Sequence, residues 1–445
     1  MTIEATEPEK GKFRKTPPVE NTNSSINLED YINRLSQERE KLREVVKKNF
    51  NNIYYVLEAC LSVKAQSLID GITLPFCLIL LGDPSSYKST ILYIVGSLPD
   101  CYKSDSFTPK SFVSHSASNS RTQLSSIDML PRIKDKTLIT PELAPIFSVR
   151  EDNLIETIGI LTRILDGKGF KTDSGVHGWR GYEGDYYFSW LGAIVEIPRY
   201  VWRIFGNLGP KMYFLRVPSD PSSEEEKRQK IIANLKSKSY NKRVEETKTQ
   251  LKSFWDVLIT ILNQTNVKIV WNESKDDHGV IEKIVVLAQL LSKLRGSVPP
   301  QDTEGWGGSN YNFGSSIIEN PERASNSLYN LARGHAVICG RNFITDDDLG
   351  VVILVTLSSA SKERVELFKL LIENNGKMNT NQFMEKAKVS IATALKNMQE
   401  LAISGLVEKI EEQTTTKPIT VIKLKDSYNW FLGEEFRSYL DNLYS

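Results

Sequence analysis

The run Gly82-Asp83-Pro84-Ser85-Ser86-Tyr87-Lys88-Ser89-Thr90 combines the residue types that bind a triphosphate. A turn of this kind directs backbone N–H groups at phosphate oxygens. Its lysine neutralises the terminal phosphates, and its hydroxyl completes the shell of Mg²⁺. Gly82, Lys88 and Ser89 stand at the required spacings, with Ser89 the candidate Mg²⁺ ligand. Tyr87 occupies the place of a second glycine. Its backbone must therefore accept a conformation suited to a residue without Cβ, and its ring must turn away from the ligand. ATP and Mg²⁺ are the expected cofactors.

A second acidic position follows the apolar run Thr137-Leu138-Ile139-Thr140, which ends in Pro141-Glu142. A carboxylate at the end of such a strand sits beside the metal and the attacking water, which makes Glu142 the candidate catalytic base. Motifs of this kind usually pair Asp with Glu, and here Pro141 stands where the Asp would be. The alternative role for Glu142 is a carboxylate at a helix N-terminus.

These residues need a sheet to hold them. Leu78 to Leu81 reads as a buried strand and Thr90 to Gly96 as a helix whose positive end faces the phosphates. Further buried strands are expected at 137–140, 189–197 and 212–217, separated by helical stretches such as Leu154 to Leu165. That alternation predicts an α/β fold with a parallel sheet. Residues 1–27 read as a polar, disordered tail. Residues 28–220 form the α/β core with leading amphipathic helices. Residues 221–360 form a helical region with a Gly- and Pro-rich irregular insertion, and 361–445 a C-terminal module. The module's order of helix, turn, two helices and two strands resembles a winged helix.

Composition limits the function. With 445 residues, 40% hydrophobic, 25% charged and a formal net charge of +1, the chain is no polybasic coat, so any DNA contact must be a local patch. The four cysteines show neither a disulfide framework nor a C-x-x-C pair, which predicts reduced thiols in a cytoplasmic protein. The four histidines are scattered, which argues against zinc. The longest apolar runs fall short of the roughly 20 residues that span a bilayer, so no membrane association is expected.

At Gly82-Asp83-Pro84 and Lys88-Ser89 the chain resembles AAA+ ATPases, most closely the minichromosome-maintenance (MCM) clade. The similarity continues through Pro321-Glu322-Arg323, Leu331-Ala332-Arg333-Gly334-His335-Ala336 and Thr345-Asp346-Asp347-Asp348-Leu349, which look like the helical lid of these proteins. The resemblance implies an AAA+ P-loop NTPase domain with a helical lid followed by a winged helix. It also implies an ATP hydrolase working as a homo-oligomer, a hexameric ring, on DNA as a helicase or translocase. Arg323 matches the lid arginine (sensor 2) that reaches over the γ-phosphate. Lys211, after Asn207-Leu208-Gly209-Pro210, falls where relatives carry an arginine finger, with Arg203 or Arg216 as substitutes. Lysine keeps the charge there but lacks the planar fork. Glu196 falls near the sensor 1 place, where an anion would repel the γ-phosphate.

The glycine-dense segment Asp166 to Phe188 resembles the pre-sensor hairpin of MCM-like motors. Lys168, Lys171, His177, Trp179 and Arg180 would supply phosphate contacts and a stacking surface for DNA. The alternative is a plain Gly-rich surface loop. In the C-terminal module the helix after Ser390 would read a DNA groove with Lys388, Thr393, Lys396 and Asn397, or else pack on its own motor. A competing function is a nucleotide-switched DNA-binding regulator or loader with slow hydrolysis, which Pro141 favours.

Overall fold

The computed structural model describes residues 28–50, 53–114, 121–174, 178–208, 211–217, 223–236, 239–260, 267–298, 300–301, 312–313, 316–413 and 418–442. The expected disordered tail, 1–27, lies outside them, as does His177.

Five strands form the central sheet: β1 (Phe76–Leu81), β2 (Cys101–Lys103), β3 (Thr137–Thr140), β6 (Ser189–Ile194) and β7 (Met212–Arg216). Their order is β2-β3-β6-β1-β7, and every neighbouring pair is parallel. Between β3 and β6 the chain adds a separate antiparallel hairpin, β4 (Gly169–Ser174) and β5 (Gly178–Glu183). Strands β1, β3 and β6 are buried along their whole length, as expected of a parallel sheet covered on both faces. Side chains of β1 alternate between two cores. Leu78 and Leu80 join the larger one with the leading and C-terminal helices, and Cys77, Ile79 and Leu81 join the other. This mixed α/β architecture fits a P-loop NTPase-like fold. The edge strand β2 is absent from the sequence expectations: three half-exposed residues carry no apolar pattern.

Helices Leu28–Phe50 and Tyr54–Ala65 precede the sheet. The first buries Leu35, Leu42, Val46 and Phe50 against helix Tyr240–Leu258, where Arg243 donates to the Asn49 carbonyl at 2.8 Å. In the segment expected to form a helical region stand helices His278–Arg295, Pro321–Ile338 and Leu349–Ser358. Gly334 sits where helix Pro321–Ile338 presses on helix Tyr54–Ala65. A Cβ there would overlap the Ser62 carbonyl, so only glycine permits the contact.

After residue 360 come helices Lys362–Glu373, Thr380–Ala387 and Ile391–Ile403. A three-stranded antiparallel sheet accompanies them, with Pro418–Leu424 central between Lys377–Asn379 and Val407–Gln413. Ser390 caps the third helix by accepting from the Thr393 N–H at 3.2 Å. Among the described residues, no helix is long and apolar enough to cross a membrane.

Candidate nucleotide site

The loop after β1 is set by close backbone contacts at the carboxyl edge of the sheet. The Gly82 N–H donates to the Val195 carbonyl at 3.1 Å. A Cβ on Gly82 would lie 2.7 Å from the Val217 carbonyl, so the cradle tolerates no side chain there. Ser85 and Tyr87 both adopt left-handed backbone, with φ of 65° and 63°. Tyr87 thus takes the conformation that glycine supplies elsewhere, at a cost of roughly 1 kcal/mol. Its ring turns back to meet Phe50 edge-on, with centroids 5.4 Å apart.

Helix Lys88–Val95 follows directly, so its first N–H groups face the loop. The Lys88 ammonium is buried and donates to the carbonyls of Gly82 and Asp83, both at 2.6 Å, and to Ser86 Oγ at 3.0 Å. Burial pulls it below the usual lysine range, opposed by the charges of Asp83 and Glu142. Ser89 Oγ lies 3.5 Å from the Pro141 carbonyl, and Thr90 Oγ1 is 2.7 Å from the Tyr240 hydroxyl.

Glu142 reaches this site from the end of β3, and its Oε1 also accepts from the Ala144 N–H at 2.8 Å. The helix N-terminal role of Glu142 is thus seen directly, and its charge also acts on Lys88. Glu196, at the end of β6, sits by the same edge with Arg216 NH1 3.7 Å from its carboxylate. Arg216 therefore offsets the anion beside the loop of its own chain. A glycine-only cradle, a buried ammonium, a hydroxyl and a nearby carboxylate fit a Mg²⁺-bound nucleoside triphosphate.

Lys211 and Arg323 meet each other instead of this loop. Asp166 binds both: Lys211 Nζ donates to its Oδ1, and Arg323 NH2 approaches the same oxygen at 3.0 Å. Arg163 holds the other oxygen at 3.1 Å. Gly167, next in sequence, packs on Pro75 just before β1, and Lys211 immediately precedes β7. Both cations therefore lie at the amino edge of the sheet. The six residues of β1 separate that edge from the loop by roughly 20 Å at 3.3 Å per residue. Lys211 also donates to the Thr162 carbonyl at 2.7 Å and its side chain is 11% exposed, whereas that of Arg323 is 41% exposed. Arg203 pairs with Glu151 at 3.0 Å on the surface.

The β4–β5 hairpin occupies the expected segment, but its lysines face carboxylates. Lys168 pairs with Asp185 at 2.7 Å, and Lys171 pairs with Glu183 while lying 5.1 Å from the Trp179 ring centroid. From Asp166 to Phe188 three Lys and Arg oppose four Asp and Glu, a formal charge of −1, so the segment is not a basic patch. Arg180 has no ion pair among the described residues, and the hairpin base is anchored by the Tyr182 hydroxyl donating to Asp128 at 2.8 Å. In the C-terminal module, Thr393, Lys396 and Asn397 line a cleft of about 440 Å³ whose other wall includes Trp202, Arg203 and Arg364. That face of the helix looks toward the α/β body.

No family model and no curated protein matches the chain. Among solved structures, it is similar to one from Cytophaga hutchinsonii ATCC 33406, a protein whose ATPase assignment is provisional. That match has 12% identity and a TM-score of 0.39, covering 84% of this chain and 98% of the other.

Proposed function

We propose that this chain is a Mg²⁺-dependent ATPase of the AAA+ type, similar to the MCM clade, that assembles into a ring, taken to be hexameric. The observation that carries the reading is the split of cations between two sheet edges. Lys88 and Glu142 converge on the loop at one edge, while Arg323 and Lys211 stand at the other. Within one chain these groups cannot meet over one triphosphate, whereas two copies docked edge to edge bring them together. Gly82 to Thr90 would cradle the triphosphate, Ser89 would hold Mg²⁺, and Glu142 would orient and deprotonate the attacking water. Arg323, the more exposed cation, would reach the neighbour's γ-phosphate, and Lys211 would hold the Asp166 carboxylate that positions it.

DNA is the proposed substrate of the motor, in genome replication, repair or defence. The hairpin's Trp179 and Arg180 support this; the paired Lys168 and Lys171 support it less. We take the C-terminal module as a winged helix, with Lys396, beside Arg203 and Arg364 at its cleft, as a contact for a strand passing along that wall.

A second reading, a nucleotide-switched regulator with slow turnover, draws on the Pro141 carbonyl facing Ser89 where an Asp carboxylate would support Mg²⁺. ATPase assays with and without single-stranded DNA separate the two. DNA-stimulated turnover that is lost in Glu142→Gln supports the motor; tight ATP binding with negligible turnover supports the switch. Absence of any calorimetric binding of ATP in Mg²⁺ buffer overturns both.

A further inference from the structure

Far from the phosphate loop, helices Leu28–Phe50, Tyr54–Ala65 and Pro321–Ile338 enclose a charged cluster around His335 and Cys339. His335 is buried, and both its ring nitrogens face carboxylates: Nδ1 lies 2.6 Å from Asp348 and Nε2 3.7 Å from Glu58. A ring with an acceptor at each nitrogen carries both protons, so this imidazole is a cation. Cys339 stands one helical turn later, its Sγ 3.9 Å from each ring nitrogen. On its other side Arg39, from the first helix, donates a guanidinium N–H to the same sulfur.

We propose that Cys339 is a modification site, a thiolate held between Arg39 and the His335 imidazolium and reactive toward hydroperoxides and alkylating electrophiles. With a hydroperoxide, Sγ attacks the outer oxygen. The S–O bond of a sulfenic acid forms, the O–O bond breaks, and the departing alkoxide takes a proton from water; sulfur is oxidised and the peroxide reduced. Modification replaces the anion that Arg39 grips, and so loosens the first helix from the lid helix.

Other groups facing the sulfur do not reverse this. Tyr54 approaches from helix Tyr54–Ala65, while Glu58 and Arg43 act on the sulfur's neighbours: Glu58 on His335 and Arg39, and Arg43 on Tyr54 and Glu58. Asp348 opposes the thiolate, but its oxygens are held by Arg341 at 2.8 and 2.9 Å, with the exposed Asp347 4.0 Å from that guanidinium. Burial pushes the Cys339 thiol up, and His335 and Arg39 outweigh it, so it titrates below the ordinary range. The other cysteines are pushed up by burial: Cys60 and Cys77 fully buried, Cys101 less so. The donor atoms of His335, Cys339 and Asp348 lie within 4.8 Å of one another, but Arg341 already holds both Asp348 oxygens and the protonated imidazole offers no donor pair, so of the three only the sulfur keeps lone pairs free, too few to hold a metal.

The test is iodoacetamide labelling of the full chain, read peptide by peptide by mass spectrometry between pH 6 and 9. Labelling at Cys339 should be fastest of the four and nearly flat with pH, whereas an ordinary thiol slows about tenfold per pH unit below roughly 8.5. In Arg39→Gln the Cys339 rate at pH 6.5 should fall about tenfold and rejoin wild type near pH 9. If that variant does not fold, the wild-type profile decides alone. Cys339 labelling no faster than Cys101, an ordinary thiol profile, or labelling that appears only after treatment with a chelator each overturns the proposal.

Discussion

Tyr87 carries a cost that its neighbours offset. Its left-handed backbone is strained for a residue with Cβ, and the ring contact with Phe50 returns about 1 kcal/mol. Both Tyr87→Gly and Tyr87→Ala lose the ring, but only the alanine keeps the strain. Urea denaturation should therefore rank glycine above alanine by about 1 kcal/mol. Gly82→Ala places a methyl 2.7 Å from the Val217 carbonyl and must distort the cradle. ATP affinity by calorimetry should drop at least about tenfold (1.4 kcal/mol) with the overall fold intact. Lys88→Ala should abolish measurable ATP binding, and retained affinity would return the loop to a structural role. Glu142→Gln keeps a side-chain oxygen to accept from the Ala144 N–H. Loss of turnover at unchanged ATP affinity, by paired kinetics and calorimetry, would separate its chemical role from its capping role.

The buried network joining the leading helices to helix Pro321–Ile338 has a defined pH dependence. His335 is raised well above 6.5: burial lowers it, and Cys339, Asp348 and Glu58 more than reverse that. Its stabilisation is full below the unfolded value and is lost as pH rises toward the folded one. Asp348 and Glu58 are lowered from 3.8 and 4.5; burial raises each, but His335 outweighs it, with Arg341 adding at Asp348 and Arg39 at Glu58. Their stabilisation is present above those values and is lost as pH falls through the folded ones. Thermal melts should therefore fall below about pH 5; above 6.5 the loss at His335 is opposed by Cys339, whose lowered thiol adds stability as pH rises toward 9.0, so His335→Gln should leave a more rising alkaline limb. The periodicity of Leu35, Leu42, Val46 and Phe50 made the first of these helices legible in the sequence, as the unbroken apolar run made β1. The His335–Cys339 pair was invisible as chemistry because its partners, Arg39 and Glu58, are hundreds of residues away in the chain. The hairpin was legible as a shape. The pairing of Lys168 with Asp185 and of Lys171 with Glu183 was not, because it forms only once the strands are in register.

Docking copies of the chain edge to edge leads to two expectations. Turnover per chain should rise with protein concentration until assembly saturates. Mixing Lys88→Ala with Arg323→Ala, each inactive alone, should restore about a quarter of wild-type turnover, because random pairing makes one interface in four intact on both sides. No recovery would overturn the assignment of Arg323 to the neighbour's site. The sequence placed Arg323 and Lys211 in different motifs, and only folding reveals that Asp166 holds both. That shared carboxylate immediately precedes Gly167 and the root of the hairpin. In the proposed ring, an adjacent triphosphate that drew Arg323 away would strip a counterion from Asp166, and its hydrolysis would let the arginine return. The expected result is a toggle in which each catalytic cycle next door tightens and slackens one peptide turn. Asp166→Asn, which unties Arg323 from its resting place, should slow ATP turnover at unchanged ATP affinity and idle any coupled mechanical stroke.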